Sequence, residues 1–407
     1  MKTILLLATL DTKGEEAKYV KELIEKRGHA VMVLDMSSLG KPPFEPDIAA
    51  EEVAKAAGSS IEEVRALKYS SQATEVMTRG AEKVVKSLCD ADKFHGVLSM
   101  GGGTGSAMAS AVMRQLPIGL PKFMLVTQHV VEAGLKGYVG TSDIAVMPSV
   151  VDIAGLNRLT MRSLNNAASA IVGMVESSEI RVSEKPLVFT TMLGITTTCG
   201  LMLKELLTRK GFEVIIFHSV GLGGMTLERL IEKYPVSGVI ELSLNEIGNE
   251  LFGGFAKAGP KRLEAAGRLG IPQIIVPGNI DTITFFSPET VPDRYKARNL
   301  YYHNPQATAV RTNADELKLV AETVAKKLNQ AKGPVKVLIP TRGFSSLDAE
   351  GGCFYDPVAD MAFISSLKSS LNKRIPVEEI DNNINDERFA KIAADRFLDI
   401  IGFSHNA

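Results

Sequence analysis

A run of glycines and hydroxyl residues between two apolar segments constrains this chain more than any other stretch. Residues 96–100 predict a short buried strand, and Ala107 to Met113 predict a helix. Between them lies the glycine loop, which consists of Gly101, Gly102, Gly103, Thr104, Gly105 and Ser106. A strand, a glycine-rich turn and a helix together present backbone N–H groups to an anion. A tight turn without a ligand is the alternative. Such a turn seldom needs so many glycines, so the pattern favours a phosphate or carboxylate site.

Length and composition indicate a globular protein of more than one domain. A chain of 407 residues is too long for one ordinary core, so we expect two or three domains. Hydrophobic residues make up 45% of the chain and charged residues 23%, as in soluble globular proteins. The net charge of −1 and the lack of tryptophan give no signal of a nucleic-acid-binding surface.

Three sequence features bear on the cellular location. Cys89, Cys199 and Cys353 are widely spaced and form no CxxC pattern, which favours reduced thiols over a disulfide framework or a zinc site. The apolar start, residues 3–10, runs into a charged segment without a small-residue cleavage site, so it predicts a buried strand. No apolar run reaches transmembrane length. We therefore expect a cytoplasmic protein without a membrane partner.

The first half of the chain predicts alternating strands and helices. Strands are predicted at 3–8, 30–34, 96–100 and 122–127, and helices at 14–26, 47–57, 71–89 and 156–175. Thr12 and Glu15 have the spacing of a capping box at the first helix, and Gly28 is typical of its end. This order predicts an α/β fold with a mainly parallel, Rossmann-like sheet.

The second half repeats the first in order. Residues 204–218 align without a gap with residues 21–35, and residues 238–242 parallel the strand before the glycine loop. The polar stretch 176–186 predicts a boundary. We therefore expect two Rossmann-like α/β domains, 1–180 and 186–407, that arose by internal duplication. The second domain has residues 243–246, Ser-Leu-Asn-Glu, in place of the glycines. Glu241 and Glu246 are there either ligands or solvated side chains.

The second half also carries segments that the first half lacks. Residues 299–305 predict a polar, aromatic loop. A helix follows at 314–328, with Thr312 and Asp315 as its predicted cap. The last elements predicted are a strand at 335–340, a second strand at 375–380 and a helix at 386–397.

Ligands of parallel α/β sheets bind at the carboxyl ends of the strands, where we expect five polar loops. These loops are residues 9–14, 101–106, 127–129, 140–143 and 341–348. In the first loop, Lys13 is a candidate cation for phosphates and Asp11 a candidate ligand of Mg²⁺. A helix cap with a solvated lysine explains the same residues equally well.

Known nucleotide motifs match the glycine loop only in part. It lacks the Lys-Ser/Thr pair of a P-loop, and its glycines only approximate the GxGxxG spacing. The first βα loop contains a single glycine, so NAD is disfavoured. Asp35, at the end of the second strand, is either a ribose ligand or an ordinary strand-end aspartate.

Three residues are candidates for catalysis. His129 directly follows a predicted strand, where a general base could lie, although a lone histidine more often bonds its neighbours. His303 is open to the same two interpretations. Arg342, with Asp348 nearby in sequence, has the composition of an anion clamp, and an exposed loop is its alternative. The chain contains neither a GxSxG elbow nor an HExxH motif.

Five segments together resemble a known family. They are residues 7–16, the glycine loop, residues 140–143, residues 276–278 and residues 341–357. The chain resembles the poorly characterised family of microbial and plant proteins that includes the ATP-binding N-terminal domain of the tomato mosaic virus resistance protein. The likeness covers essentially the whole chain. It implies two α/β domains, ATP binding and dimerisation. In the plant branch it implies inhibition of viral RNA replication, a role that does not transfer to this chain. We expect a stand-alone form without the further C-terminal domain of the plant relatives.

The residues and the resemblance lead to three hypotheses. The first is an ATP-binding protein that uses Mg²⁺. The predicted contacts are Asp11, Thr12, Lys13, Gly101, Gly102, Gly103, Thr104, Gly105, Thr141 and Asp143, with Asp11 assisting the metal. The second is a metabolic enzyme that acts on a small anionic or sugar-derived substrate between the domains, with His129, His303 and Arg342 as catalytic candidates. The third is a regulatory module that binds a protein partner when nucleotide is bound.

Overall fold

The structure is a computed structural model that describes residues 1–177 and 183–403. The chain divides into two compact units, residues 1–181 and 182–407. The boundary predicted at 176–186 includes residues 178–182, which lie outside the described residues, as do residues 404–407. Among the described residues, no helix is both long and apolar enough to cross a membrane.

The first unit consists of a parallel sheet and its helices. Its strands are β1 (Thr3–Ala8), β2 (Ala30–Asp35), β3 (Gly96–Gly101), β4 (Lys122–Val126) and β5 (Ala145–Pro148). Its helices are α1 (Leu10–Glu25), α2 (Ala50–Ala56), α3 (Ile61–Arg65), α4 (Ser70–Asp90), α5 (Gly103–Gln115), α6 (Gln128–Glu132), α7 (Lys136–Val139) and α8 (Arg158–Glu176).

Both faces of this sheet are covered, which explains the continuous apolar runs of its strands. The strand order is β2-β1-β3-β4-β5 and every pairing is parallel. Residues 4–8 of β1 are fully buried. Their side chains contribute alternately to a core with α4 and α5 and to a core with α1 and α8. Strands buried on both faces read as unbroken hydrophobic runs, as predicted here.

Two helix starts in the first unit differ from the prediction. Helix α1 begins at Leu10 with Thr9 at its N-cap, and it is interrupted by a non-helical Lys13. The capping box predicted from Thr12 is therefore wrong, and the Thr12 hydroxyl donates instead to the carbonyl of Thr9. Helix α5 begins at Gly103 and not at Ala107. Glycine has low helix propensity, so a sequence pattern assigns the first turn of this helix to a loop.

The second unit contains a parallel sheet and a small antiparallel one. Its strands are β6 (Leu187–Met192), β7 (Glu213–His218), β8 (Val236–Glu241), β9 (Gln273–Ile275), β10 (Thr282–Phe285), β11 (Leu300–Asn304), β12 (Ala307–Arg311), β13 (Val335–Pro340) and β14 (Val377–Ile380). Its helices are α9 (Thr197–Arg209), α10 (Leu222–Leu230), α11 (Asn245–Phe252), α12 (Ala265–Leu269), α13 (Ala314–Leu328), α14 (Pro357–Ser370) and α15 (Glu387–Ile400). Short 3₁₀ turns lie at 194–196, 288–290 and 293–295.

The parallel sheet of the second unit has the strand order of the first. Read from one edge it is β7-β6-β8-β9-β13, with β14 added at the end, and its pairings are parallel. The two α/β units therefore have the same topology, as the repeated sequence predicts. In the second unit, as in the first, separate clusters of apolar side chains pack on the two faces of the parallel sheet.

Two local predictions in the second unit are corrected. The loop predicted at 299–305 is mostly strand β11, which pairs with β12 in a three-stranded antiparallel sheet of order β10-β12-β11. Polar tyrosine, histidine and asparagine side chains on its exposed face concealed the strand pattern. Helix α13 is capped by Asn313 and Glu316, one residue later than predicted. The Thr312 hydroxyl is buried and donates to the carbonyl of Ile280.

Candidate functional site

The glycine loop forms the junction between β3 and α5 at the carboxyl edge of the first sheet. Gly101 ends β3, Gly102 is the N-cap, and residues 103–105 form the first turn of α5. The first N–H groups of a helix have no partner within the helix. Within residues 1–177, no side chain caps this turn. The Ser106 hydroxyl donates to the Gly101 carbonyl over 3.1 Å and ties the helix to the strand.

Packing accounts for only part of the glycine run. A Cβ on Gly103 would lie 2.9 Å from Cδ2 of His129, and one on Gly101 would lie 3.3 Å from Cα of Gly105. A Cβ on Gly105 would make an ordinary contact of 3.8 Å with Oγ1 of Thr9. A Cβ on Gly102 would meet no described atom within 4 Å, and the φ of Gly102 is −78°. The fold itself therefore requires glycine at neither Gly102 nor Gly105.

Three residues of the predicted polar loops lie around the glycine loop, namely Thr9, Thr12 and His129. The hydroxyl oxygens of Thr9 and Thr12 are 3.1 Å apart, and Thr9 faces Gly105. The exposed ring of His129, in the first turn of α6, lies against Gly103. The Lys13 ammonium has no ion pair or hydrogen bond among the described residues.

Backbone strain marks the same edge of the sheet. Val150 follows the end of β5 and has a φ of 68°. This conformation is an outlier for a β-branched residue and costs of the order of ~1–3 kcal/mol. The side chain is 69% exposed, so packing of its side chain does not repay the cost. Strained residues cluster at binding sites, which agrees with a ligand at this edge.

The two acidic residues predicted near the first loop face another part of the sheet. Asp11 Oδ2 accepts from the N–H groups of Leu39 and Gly40, in the loop after β2. Since β2 lies on the other side of β1 from β3, this carboxylate is directed away from the glycine loop. Asp35 is 1% exposed, and its Oδ1 accepts from Leu10 N and from Ser37. Burial raises the pKa of Asp35. Of its two interpretations, these contacts favour the ordinary strand-end aspartate.

Thr141 and Asp143 lie at the opposite edge of the sheet from the glycine loop. Both precede β5, and parallel strands all start at the same edge. Asp143 pairs with the fully buried ammonium of Lys122 at 2.7 Å and accepts from Gly119 N at 2.7 Å. Burial raises the pKa of Asp143, but these bonds outweigh it and the net shift is downward. The placement of residues 140–143 at a carboxyl end is therefore corrected.

The two catalytic candidates of the second unit lie in different surroundings. Arg342 makes a bidentate pair with Asp381, with Nε–Oδ1 at 2.6 Å and Nη2–Oδ2 at 2.9 Å, and its side chain is 64% exposed. Its guanidinium thus already has a carboxylate partner. His303, on β11, lines a cleft of about 270 Å³ with His218 and Ser219, which we call the second-unit cleft.

In the second unit, a buried ion cluster lies where the first unit has the glycine loop. Arg262 is 1% exposed, and its Nη2 and Nε contact Glu241 and Glu246 at 2.6 Å each. Glu228 is 3.3 Å from Nη1 of the same guanidinium. Burial raises the pKa of Glu228, and Arg262 opposes that shift. Glu241 and Glu246 are thus neither solvated nor free to bind a ligand. Sequence reasoning missed Arg262, since it stands in an irregular segment without a motif.

A second buried cluster, also missed, surrounds Arg311 at the end of β12. Nη2 contacts Asp360 at 2.6 Å and Asp348 at 3.2 Å. Asp281 is fully buried and its Oδ2 accepts from the Ser345 hydroxyl at 2.7 Å. Burial, together with the neighbouring Asp281 and Asp360, raises the pKa of Asp348 to about 9. The loop of residues 341–348 is thus held by buried polar contacts.

Comparison with known proteins identifies the family. The family described as uncharacterised protein family UPF0261 matches through its N-terminal domain at residues 2–180 and through its C-terminal domain at 185–401. The chain is 41% identical over 402 residues to a UPF0261 protein of Clostridium tetani, which covers 98% of this chain and 99% of the other. A UPF0261 protein of Rhizobium meliloti is 38% identical over the same share of both chains.

One relative is a plant protein. The ToMV resistance protein Tm-1(GCR237) of Solanum lycopersicum is 31% identical over 425 residues, covering 98% of this chain but 55% of its own length. Among solved structures, a UDP-N-acetylglucosamine 2-epimerase from Rickettsia bellii matches 98% of this chain and 96% of its own at 12% identity, with a TM-score of 0.24. That likeness is too weak to support an inference about function. The two domain matches and the identities show that the chain belongs to the uncharacterised protein family UPF0261.

Proposed function

We propose that the first unit binds a nucleotide, with its phosphates at the N-terminus of α5. The observation that carries the proposal is Gly102, a glycine at an N-cap that neither a positive φ nor any neighbouring atom requires. An approaching phosphate supplies the missing reason, because it must come close to the backbone N–H groups. ATP is the nucleotide that the resemblance implies.

Charge and geometry around α5 support the same proposal. The start of a helix carries a partial positive charge that attracts anions. Lys13 adds a cation at the neighbouring loop, and the hydroxyls of Thr9 and Thr12 are hydrogen-bond donors to phosphate oxygens. The carboxylate of Asp11, the acidic residue of that loop, is bound to the loop after β2.

Asp11 is the predicted ligand of Mg²⁺, and its carboxylate already has partners in the chain. Asp11 Oδ2 already accepts two N–H groups, and the described residues contain no group of three or more His, Cys, Asp or Glu that could hold a metal. Protein-bound Mg²⁺ generally needs one or two carboxylates in addition to phosphates and water. We therefore derive no step through the metal, and the proposal concerns the phosphates alone.

Calorimetric titration tests the proposal. ATP is titrated into the full chain with and without Mg²⁺, and into Gly102→Asp. The new carboxylate faces open space, so the fold is expected to remain intact while the negative charge repels phosphate. We expect a loss of affinity of at least ~tenfold, since one close like-charge contact costs more than ~1.4 kcal/mol outside bulk water.

Gly137→Asp is the matched control. Gly137 also has open space around its Cβ, but it lies in α7, which packs near the C-terminal half of α5. Its substitution leaves ATP affinity unchanged if the phosphates bind at Gly102. The absence of binding heat for the wild-type chain, or equal affinities for wild type and Gly102→Asp, contradicts the proposal.

Hydrolysis of the bound nucleotide is a second candidate function, and His129 supports it. Its imidazole lies against Gly103 and has no hydrogen-bond partner among the described residues. A group in this position can act as a general base toward water beside a phosphate. The test is release of inorganic phosphate from ATP by wild type and His129→Asn. Equal rates in the two proteins contradict a catalytic role and leave ATP binding untouched.

Dimerisation, a protein partner and a cytoplasmic location are implied by the resemblance or the composition and remain proposals. Light scattering of the purified chain with and without ATP measures the oligomeric state. A pull-down repeated with and without ATP tests whether a partner depends on nucleotide. The enzyme hypothesis that combines His129, His303 and Arg342 also remains a prediction, now weakened for Arg342 by its pair with Asp381.

A further inference from the structure

The second-unit cleft lies at the carboxyl edge of the second parallel sheet. One wall is formed by residues 193–195 after β6 and residues 218–220 at the end of β7. The facing wall comes from the antiparallel sheet, through Thr282 and Thr284 of β10 and alternating residues of β11 and β12. Ligands of parallel α/β sheets bind at this edge. The cleft and the glycine loop belong to different units.

The volume of the cleft fits a small metabolite. It measures about 270 Å³. A cavity of about 150 Å³ holds benzene, whereas pockets for drug-sized ligands begin at about 300 Å³. Much of the lining is apolar, from Leu193, Ile195, Val220, Phe255 and Leu347. The occupant therefore has an apolar body somewhat larger than one aromatic ring.

The polar side chains of the described lining residues favour an anionic group on that body, because they include hydrogen-bond donors and no carboxylate. Among the described residues that line the cleft, none is Asp, Glu, Lys or Arg. Its ionisable side chains are the imidazoles of His218 and His303 and the phenol of Tyr301. A cationic ligand has no counter-charge in such a lining. A carboxylate, by contrast, can accept hydrogen bonds from imidazole and hydroxyl donors.

Ser219 marks the polar end of the cleft. It is fully buried, and its hydroxyl has no hydrogen-bond partner among the described residues. Asn245 Nδ2 donates to the Ser219 carbonyl at 2.8 Å, and Asn245 Oδ1 is also without a partner. A buried polar group left unsatisfied costs ~1–3 kcal/mol. Because this hydroxyl is buried, a ligand in the cleft reaches it by rotation of the Ser219 side chain, and such a bond removes that cost. Ser219 adjoins His218 in the chain.

We propose that the second-unit cleft binds a small organic acid. The apolar body packs against the aliphatic and aromatic lining, and the carboxylate bonds to His218 and Ser219. The site takes monocarboxylates with one aromatic ring or a short alkyl chain in preference to their neutral amides.

Ligand-observed NMR and calorimetry with three matched pairs test this proposal. The probes are phenylacetate, 3-phenylpropanoate and octanoate, each compared with its primary amide, on the full chain. At least one acid is expected to bind saturably and at least ~tenfold more tightly than its amide. His218→Gln, which keeps a hydrogen-bonding side chain but cannot become cationic, is expected to reduce that preference.

Blocking variants show whether binding occurs in the cleft. Gly194 lines the cleft, and a Cβ added there would meet no described atom within 4 Å, so Gly194→Leu extends into open space. Ala307→Leu, on β12, fills the cleft from the facing wall and serves if Gly194→Leu does not fold. Each is expected to weaken the acid at least ~tenfold, with an unchanged thermal melting curve. Gly173→Leu, on an exposed position of α8, is the matched control and is expected to have no effect.

Three outcomes overturn the proposal. They are no binding by any acid, equal affinities for acids and amides, and undiminished binding in both blocking variants. Excess ATP and Gly102→Asp are expected to leave acid binding unchanged. An acid that ATP displaces binds at the glycine loop instead, and that result also counts against the cleft.

Discussion

The loops that follow the corresponding strands β3 and β8 contain different side chains in the two units. In the first unit, β3 runs through Gly102 into α5, and no side chain within residues 1–177 caps that helix. In the second unit, the corresponding strand β8 ends at Glu241, and α11 follows with Glu246 in its first turn. Both carboxylates are bound to the buried Arg262.

In the second unit, Glu246 of that loop bonds to the start of the neighbouring helix α10. Glu246 Oε1 accepts from Gly221 N at 2.6 Å and from Gly224 N at 3.1 Å, at the start of α10. A carboxylate at a helix start satisfies the free N–H groups as a bound phosphate does. One topology thus supports both a partly exposed glycine loop and a corresponding loop whose carboxylates are buried in an ion cluster, and side-chain chemistry decides between them.

The largest expected effect on stability comes from removing Arg262, the cation of the buried ion cluster. Arg262→Leu leaves Glu228, Glu241 and Glu246 buried without their counter-charge. Breaking a buried pair on one side costs ~3–5 kcal/mol, so the free energy of unfolding should fall by about that amount. Urea denaturation followed by circular dichroism measures it.

Arg268→Leu is the matched control for this prediction. Arg268 pairs with Glu232 on the surface, where both side chains are about half exposed. An exposed ion pair contributes ~1 kcal/mol or less. A similar loss of stability in the two variants would show that the buried cluster is no more important than a surface pair.

An intermediate effect is expected on the pH dependence of stability. The pKa of Asp348 is raised from the ordinary value of 3.8 to about 9, so this carboxyl holds its proton in the folded chain at neutral pH. The unfolded chain has lost that proton above about pH 4. The stability that Asp348 contributes is therefore complete below pH 3.8 and is lost as pH rises toward 9, by at most ~1.4 kcal/mol per pH unit.

Asp348→Asn tests that pH dependence. Asparagine does not ionise, so the fall in unfolding free energy between pH 5 and pH 8 should become shallower in this variant. Denaturation midpoints at four pH values measure the two slopes. Parallel slopes for wild type and variant would mean that Asp348 is ionised in the folded chain.

The smallest expected effect is on the open helix start. Gly102→Ser supplies the cap that α5 lacks, and serine is a better N-cap than glycine by a few tenths of a kcal/mol. Thermal stability should rise slightly, whereas ATP affinity should fall less than in Gly102→Asp, because serine adds no charge. A loss of stability would show that Gly102 is required by the fold and not by a ligand.

Much of the fold could be predicted because the strands are buried on both faces. β1, β3 and β13 are mostly apolar, with Ser99 inside β3 and Lys336 inside β13, and their limits in the structure agree with the predicted ones within a residue. Helix starts were harder to predict, since glycine is a poor helix former in isolation and yet begins α5. Strand β11 was missed because its exposed residues are polar.

The candidate site was predictable only where its residues are neighbours in sequence or follow adjacent strands. The glycine loop, Thr12 and His129 satisfy that condition. Asp143 does not, because assigning it to an edge requires knowing that β5 follows it. Arg262 and Arg311 carry no local motif, and their partners lie 16 to 49 residues away in the chain.

The sequence by itself determined the two α/β units, their repeated order and the glycine loop, because apolar periodicity and glycine act locally along the chain. Only the tertiary structure decided which polar residues meet. It directed Asp11 toward the loop after β2, paired Arg342 with Asp381 and buried Arg262 among three glutamates. The physical reason is that burial and charge pairing depend on distances between residues that are remote in sequence, which no local pattern encodes.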